Sequence, residues 1–338
     1  MIINTIKWLF LWGIAFALAY WAFKDIRWST MKVEFGKVKI EWLLVGLFFS
    51  LSSLIIRSVR WKMMQEAMQY SNTFVSNFIG VNIAYGSNLI FPRLGEVLRA
   101  TTTTAMSGIP TPVLFGTIIT ERIIDVLVTF LCLAIVIIGN AGIIQHFVMQ
   151  EILGSKLAFI QNIPVLVWIL LFSFFGAVTW FSIKKRYFSL LWNKIVASKI
   201  GATVAGFQKG VVSVKDIKNQ PLFIVYSLGI WAGYVLCTYF SAFSYVPTNG
   251  LSMLDALFIT VLGAFGMSAP VPGGIGAYHK LIQKGLILLG IVGLEGEEPG
   301  LVFATVVHGT QFVFTLVMGS IAGIAYWFYP KKTENLTT

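Results

Sequence analysis

Charged residues at regular spacing follow a proline in the first third of the chain. Arg93, Glu96 and Arg99 are three residues apart, and Pro92 directly precedes them. Proline is tolerated in the first turn of a helix, and a spacing of three places side chains on one helix face. Free N–H groups at a helix start, together with two guanidinium groups, would bind a phosphate. We therefore predict an anion site, favoured by the polar Asn88 just upstream; the alternative is an interfacial anchor.

A second group of charges interrupts an apolar run that covers residues 113–139. Glu121, Arg122 and Asp125 lie well inside this run. Each charge at such depth in a membrane costs roughly 2 to 3.5 kcal/mol, so the three residues must pair or face water. Two interpretations stay open: an ion pair that locks helices together, or groups that bind substrate or handle protons.

Weaker candidates are distributed along the rest of the chain. They are Arg57, Arg60, Gly273, Gly274, His279, His308 and Gln311. Because Trp61 follows Arg60 directly, the first two arginines are better interpreted as an interfacial anchor with an aromatic belt residue. The glycines after Pro272 allow a sharp turn or a close backbone approach. The three histidines of the chain lack metal-ligand spacing, so we predict no metal site and no cofactor.

The composition indicates which elements must hold these residues. Hydrophobic residues make up 57% of the 338 residues, charged residues only 12%, and the mean hydropathy is +0.81. These values exclude a conventional soluble enzyme and a nucleic-acid-binding module. The net charge of +11 is better explained by membrane topology and by attraction to anionic lipids. We predict an all-α, multi-pass protein of the inner (cytoplasmic) cell membrane.

Six apolar runs are long enough to cross a bilayer, and two further segments are interrupted. The runs cover residues 8–23, 40–56, 113–139, 163–183, 221–246 and 301–329. Segment 74–91 carries several polar residues, and segment 254–292 contains two prolines and a cluster of glycines. Both are therefore predicted to be broken or re-entrant helices, in hairpins that cover 74–105 and 254–292. The basic connection 184–218 is predicted to be cytoplasmic.

An internal repeat relates the two interrupted segments. Residues 78–92 align with 258–272 at an offset of 180, with six of fifteen positions identical. Each half then has a span, a hairpin and a second span, and the halves have opposite topology, as in inverted-repeat transporters. The two halves cover about residues 40–139 and 221–329, and a connection over 140–220 joins them. An extra N-terminal helix covers about 4–23, and all of these parts form one domain, 1–338.

Four stretches in this order resemble the flippase-like transmembrane domain of the lysylphosphatidylglycerol synthase/flippase family. They are Arg57 to Trp61, Asn88 to Arg99, Glu121 to Asp125 and Pro270 to Gly276, and the resemblance extends from about residue 40 to 329. It implies an integral membrane protein that moves or binds modified phospholipids or lipid-linked intermediates. Synthase activity is not implied, because no soluble acyltransferase-type domain precedes Thr338. Ala277 to Lys280 also depart from the family, whose members often carry a glutamate there.

These observations favour a lipid transporter or flippase with a central polar cavity. Arg93, Arg99 and Arg122 would contact a lipid phosphate, while Glu121 and Asp125 would balance them or receive an amine. The predicted partners are membrane lipids, an anionic phospholipid or a lipid-linked intermediate, and no nucleic acid. Two alternatives stay open: a membrane-embedded enzyme that acts on lipid-linked substrates, and a non-transporting scaffold or accessory subunit.

Overall fold

The computed structural model describes Tyr20 and residues 28–139, 199–269, 271–293 and 298–332, and these residues form helices without a strand. The helices in chain order are α1 (Trp28–Phe35), α2 (Ile40–Ala67), α3 (Phe74–Ile90), α4 (Leu94–Ser107), α5 (Thr111–Gly139), α6 (Lys199–Val212), α7 (Gln220–Ala242), α8 (Met253–Ser268), α9 (Ala277–Leu288) and α10 (Pro299–Phe328). The predicted all-α membrane fold is confirmed.

Four of these helices are long and apolar enough to cross a bilayer. Helices α2, α5, α7 and α10 contain 28, 29, 23 and 30 residues, whereas about 20 residues suffice to span the hydrocarbon. They correspond to the runs predicted at 40–56, 113–139, 221–246 and 301–329. Apart from Tyr20, the runs predicted at 8–23 and 163–183 lie outside the described residues, as does most of the connection 140–220.

Two pairs of shorter helices occupy the interrupted segments. Helices α3 and α4 contain 17 and 14 residues, and α8 and α9 contain 16 and 12. At 1.5 Å per residue each is roughly 18 to 26 Å long, less than the thickness of the hydrocarbon core. The predicted helix breaks are therefore present: one lies at residues 91–93, after an unbroken helix over 74–90, and the other lies between Ser268 and Ala277. The order of long and paired helices fits the inverted repeat, which stays a prediction.

Glycines set how closely the helices of each pair approach. A Cβ atom on Gly95 would overlap the carbonyl oxygen of Ala84 in the facing helix, and one on Gly266 would overlap the backbone of Tyr278. Small residues allow backbones to approach closely in membranes, where the hydrophobic effect does not drive helices together. Both hairpins are consequently tight, and their turns lie beside each other: a Cβ on Gly273 would lie 3.8 Å from the Leu89 carbonyl oxygen.

Helix α2 extends eleven residues past the end of the predicted span and positions the site. It packs along α7, where Gly46 faces Ser241 and Gly233 faces Ser53. The extension carries the buried residues Arg57 and Arg60. The segment stays helical because arginine, methionine and tryptophan fit a helix and because the arginines find buried partners on α5.

Candidate functional site

Two arginines of α2 bind two carboxylates of α5 inside the protein. Arg57 Nη1 lies 3.1 Å from Glu121 Oε1 and 2.9 Å from Asp125 Oδ2. Arg60 Nη2 lies 2.9 Å from Glu121 Oε1 and 3.1 Å from Asp125 Oδ1. All four side chains are buried. Glu121 and Asp125 share a face because they are one helical turn apart, so both reach the same pair of guanidinium groups.

Arg99 of α4 brings the first hairpin into this cluster. Its Nη2 atom lies 2.7 Å from Glu121 Oε2, and its guanidinium lies 3.8 Å from the centre of the Trp61 ring. The indole Nε1 of Trp61 donates a hydrogen bond of 2.8 Å to Thr117 Oγ1 on α5. Stacking on an aromatic face stabilises a buried guanidinium. The hairpin is thus joined to α2 and α5 by one carboxylate and one indole.

Arg122 differs from the other three arginines in its environment. Its side chain is 42% exposed, and its contact with Asp125 Oδ2 is 3.7 Å long. Its Nε atom has no hydrogen-bond partner among the described residues. The four guanidinium groups and two carboxylates of the cluster carry a net charge of +2. Arg122 is therefore the guanidinium of the cluster with the longest ion-pair contact and the most exposed side chain.

A cavity of about 370 Å³ lies against this cluster, and it is lined by residues from both 40–139 and 221–329. On the first side it is lined by Arg57, Tyr85, Arg122, Asp125 and Tyr234. On the second side it is lined by Ser50, Cys237, Tyr278, His308 and Gln311. Clefts of this size that combine apolar walls with a few convergent polar groups are typical ligand sites.

The second side of the cavity is held by uncharged contacts. Gln311 accepts a hydrogen bond of 2.9 Å from Ser50 Oγ, and its amide nitrogen lies 2.9 Å from Cys237 Sγ. The rings of His279 and His308 lie 4.9 Å apart. The histidines therefore pack α9 against α10.

Gly273 and Gly274 form that turn as part of a short 3-10 segment, Pro272–Gly274. Their φ angles are 58° and 70°, values that a residue without a Cβ adopts at little cost. The sharp turn predicted after Pro272 is present. Neither glycine is among the residues that line the cavity.

The start of the helix after Pro92 differs from its prediction. Helix α4 begins at Leu94, so the proline lies in the turn before it. Arg93 has a φ of 65° there, which is uncommon for a residue with a side chain. Asn88 Oδ1 accepts a hydrogen bond of 2.8 Å from the Gly95 N–H group. Asn88 therefore caps the second helix of the hairpin and occupies one donor that was predicted to bind an anion.

The charged face predicted for this helix is divided between two environments. Arg93 is exposed at the turn, Glu96 is half-buried, and Arg99 is buried in the ion cluster. Arg99 pairs with Glu121 of another helix. A joint phosphate site of Arg93 and Arg99 is not present in this arrangement, because the second guanidinium is already bound.

The interfacial-anchor interpretation of Arg57 and Arg60 is wrong. Both side chains are buried, and so is Trp61. Their carboxylate partners lie more than sixty residues away in the chain, so no local pattern identified the pairs. Of the two interpretations for Glu121 and Asp125, the structure provides the helix-locking ion pairs.

Several residues of the site were not selected from the sequence. Tyr234 OH lies 3.3 Å from Arg57 Nη2 and 3.4 Å from Tyr85 OH. Arg60 Nη1 donates a hydrogen bond of 3.1 Å to Ser227 Oγ. Tyrosine inside an apolar run is a weak signal, because its hydroxyl also suits the interface. In the described part of the chain, no group of three or more His, Cys, Asp or Glu residues could hold a metal ion.

Comparison with known sequences finds relatives among membrane proteins. A UPF0104 membrane protein of Methanocaldococcus jannaschii is 29% identical over 136 residues, which cover 39% of this chain and 37% of the relative. The aligned part is thus little more than a third of that protein. No solved structure matches the chain. Residues 8–319 match the family model described as the lysylphosphatidylglycerol synthase TM region, and the chain therefore belongs to this family of membrane proteins.

Proposed function

We propose that the protein moves an anionic phospholipid or lipid-linked intermediate across the membrane, and that Arg122 binds the phosphate in the central cavity. One observation carries this proposal. Arg122 lines the cavity with a side chain that is 42% exposed and that holds Asp125 only at 3.7 Å. It belongs to a cluster with two more positive than negative charges, so the cavity attracts an anion.

The energetics of the membrane favour a phosphate as that anion. An uncompensated guanidinium inside a bilayer costs several kcal/mol, and a phosphate that enters the cavity would offset this cost. Arginine forms two parallel hydrogen bonds to phosphate oxygens, and its planar fork suits this geometry better than the ammonium group of lysine. The apolar remainder of the cavity wall suits the parts of a lipid next to its headgroup.

The two hairpins supply a structural basis for transport. Backbone without helical hydrogen bonds is tolerated at membrane depth only where protein or a water-filled cavity satisfies it. The two turns, at residues 91–93 and 271–276, lie beside each other near Leu89 and Gly273. A change in their contact would open the cavity toward one face of the membrane, as in other transporters built from broken helices.

An enzyme that acts on lipid-linked substrates is less favoured by the same contacts. Glu121 and Asp125 are the carboxylates of the cluster, and both are bound by guanidinium groups. A carboxylate held in this way is a poor general base, because its charge is already stabilised. A scaffold role requires no ligand, and the experiment below separates it from transport.

The test is lipid movement by the purified protein in vesicles. The probe is phosphatidylglycerol with a fluorescent acyl chain, and a membrane-impermeant reductant measures its arrival in the outer leaflet. We expect Arg122→Gln to slow this movement about tenfold or more, because a charge-assisted hydrogen bond is worth about 1.5 to 3 kcal/mol.

Lys62→Gln is the matched control for this variant. It also removes one positive charge, but Lys62 pairs with Glu66 at 3.4 Å and does not line the cavity. Its rate should equal that of the wild-type protein. Folded wild-type protein that moves no probe, or an Arg122→Gln protein that moves it at the wild-type rate, would reject the proposed transport site.

A further inference from the structure

The cavity wall contains an imidazole ring, that of His308 on α10. The residue is buried, with a relative exposure of 6%. Its Nδ1 atom has no hydrogen-bond partner among the described residues. Buried polar atoms are rarely left without a partner, so an unpaired nitrogen beside a cavity points to a group that binds there from outside the protein.

The neighbouring imidazole of His279 has a different environment. Its ring lies 4.9 Å from the ring of His308, but His279 does not line the cavity. Its Nδ1 atom accepts a hydrogen bond of 3.3 Å from the Gly276 N–H group. Within the described part of the chain, His308 is therefore the histidine that the cavity reaches.

Other titratable and charged groups surround this ring. They line the cavity or contact the ring from α2, α3, α5, α7 and α9, and they are Arg57, Tyr85, Arg122, Asp125, Tyr234, Cys237, Tyr278 and His279. Arginine stays charged at all physiological pH values, aspartate ordinarily titrates at about pH 4, and cysteine and tyrosine ordinarily titrate above neutral pH. Histidine ordinarily titrates at about pH 6.5. Among the described residues of the cavity wall, His308 is therefore the group suited to bind and release a proton.

The charge of the ion cluster makes proton binding depend on whether the cavity holds an anion. Without a ligand, the four guanidinium groups and two carboxylates carry an excess positive charge, which disfavours a further positive charge on His308. A lipid phosphate bound by Arg122 would lower this excess by one, so the ring would accept a proton more readily. By thermodynamic linkage, the proton would strengthen lipid binding by the same factor.

We propose that His308 takes up one proton together with each anionic lipid, so that the protein moves a lipid and a proton in the same direction. This inference rests on the proposed function, because the anion that favours the proton is the phosphate bound by Arg122. The proton passes from water on one side of the membrane to the ring, and it returns to water on the other side when the lipid leaves. A singly charged anionic lipid and a proton together carry no net charge, which suits a medium where an isolated charge is costly.

Accumulation of labelled lipid in a pH gradient tests this coupling. Vesicles that contain the purified full-length protein are prepared with a lumen about one pH unit more alkaline than the outside. The probe is phosphatidylglycerol with a short fluorescent acyl chain, which albumin extracts from the outer leaflet alone. We expect about threefold more probe in the inner than in the outer leaflet, since a one-to-one coupling has a limit of about tenfold per pH unit. Protein-free vesicles give the baseline, and a proton ionophore should abolish the asymmetry.

The variant His308→Gln assigns the proton to one ring. Glutamine keeps hydrogen-bonding groups but does not titrate, so this variant should still move the probe and should leave the two leaflets evenly filled. His279→Gln is the matched control, because it removes a neighbouring imidazole that does not line the cavity, and it should keep the asymmetry. A His308→Gln protein with the wild-type asymmetry, or loss of the asymmetry in His279→Gln alone, would overturn the inference.

Proton uptake in detergent checks the same assignment without transport. Addition of phosphatidylglycerol to the full-length protein in weakly buffered micelles should raise the pH, by an uptake of at most about one proton per protein molecule. Diacylglycerol, which lacks the phosphate, should cause no uptake. The uptake should disappear in His308→Gln, or in His308→Asn if the first variant does not fold. Folded wild-type protein that binds phosphatidylglycerol without taking up protons would contradict the coupling.

The outcomes separate this inference from the proposed function. If the wild-type protein moves the probe but distributes it evenly in the pH gradient, the coupling is overturned and the proposed transport stands. If folded wild-type protein moves no probe with or without a gradient, the proposed transport is rejected and the coupling with it.

Discussion

The two sides of the cavity have similar positions in the chain and opposite electrostatic character. An offset of 180 residues takes Arg57 to Cys237, and an offset of 186 takes Asp125 to Gln311. In the structure, Arg57 binds Asp125 at 2.9 Å, and Cys237 Sγ lies 2.9 Å from the amide nitrogen of Gln311. The ion pair of the first half is thus matched by a neutral contact in the second.

The hairpins repeat this difference. The offset of 180 takes Arg99 to His279, and each of these residues joins its hairpin to the long helix that follows. Arg99 does so through a carboxylate, whereas His279 packs on the ring of His308. The excess charge of the site therefore belongs to one half of the molecule.

This comparison explains why the charges around the cavity are distributed asymmetrically even though the helices follow a repeated order. Buried charges need partners in every state, because an isolated ion at depth is far more costly than an isolated neutral group. The charged half should therefore be sensitive to the loss of any one ion. A substitution among the neutral contacts should lower the free energy of unfolding only by the contribution of the hydrogen bonds that it removes.

The largest effect is expected for Glu121→Gln. This change leaves three guanidinium groups facing a neutral amide, and it should lower the free energy of unfolding by about 3 to 5 kcal/mol. Denaturant or thermal unfolding of the purified protein in detergent measures it. The double variant Glu121→Gln, Arg99→Met restores the original net charge and should be more stable than the single variant. Wild-type stability in the single variant would mean that water solvates the cluster.

A smaller loss, about 1 to 2 kcal/mol, is expected for Arg99→Lys. Lysine keeps the charge near Glu121 but has no planar group to stack on Trp61. The exposed Arg93 provides the control, and Arg93→Lys should change the free energy of unfolding by less than about 0.5 kcal/mol. Equal losses of stability from the two substitutions would indicate that Arg93 and Arg99 have the same environment, and would contradict the special role of Arg99 in the ion cluster.

At the uncharged contacts around Gln311, the substitution Gln311→Leu should lower the free energy of unfolding by about 1 kcal/mol. The substitution removes the hydrogen bond from Ser50 and the contact with Cys237, and a typical intramolecular hydrogen bond contributes about 0.5 to 1.5 kcal/mol. Ser50→Ala removes one of the two contacts and should cost less. The same unfolding measurement applies. If Gln311→Leu lowered the free energy of unfolding as much as Glu121→Gln does, the charged and the neutral contacts would not differ in their importance for stability.

The smallest effect on stability is expected for Arg122→Gln, about 0 to 1 kcal/mol. Its ion pair with Asp125 is long and its side chain is partly exposed, so the pair behaves like a surface salt bridge. Stability and lipid movement should therefore separate in this variant, with near-normal unfolding and slow transport. Severe destabilisation would instead assign Arg122 to the helix-locking ion pairs.

Local sequence determined the membrane class, four described spans and the positions of both hairpins. These features depend on the length of apolar runs and on glycine and proline, which act within a few residues. The helix break near Pro92 was predicted for this reason, although its exact start was displaced to Leu94. Glu121 and Asp125 were also identified from sequence, because charges in an apolar run are conspicuous.

Only the tertiary structure decided how those charges are used. Arg57 and Arg60 precede Trp61 in a pattern that also suits an interface, and they are buried because α5 presents two carboxylates to them. The three-residue spacing of Arg93 and Arg99 places them on one face, but only Arg99 meets Glu121. Pairing between residues more than twenty positions apart depends on which helices pack together. Spacing within one helix reveals the shared face but not the partner that it meets.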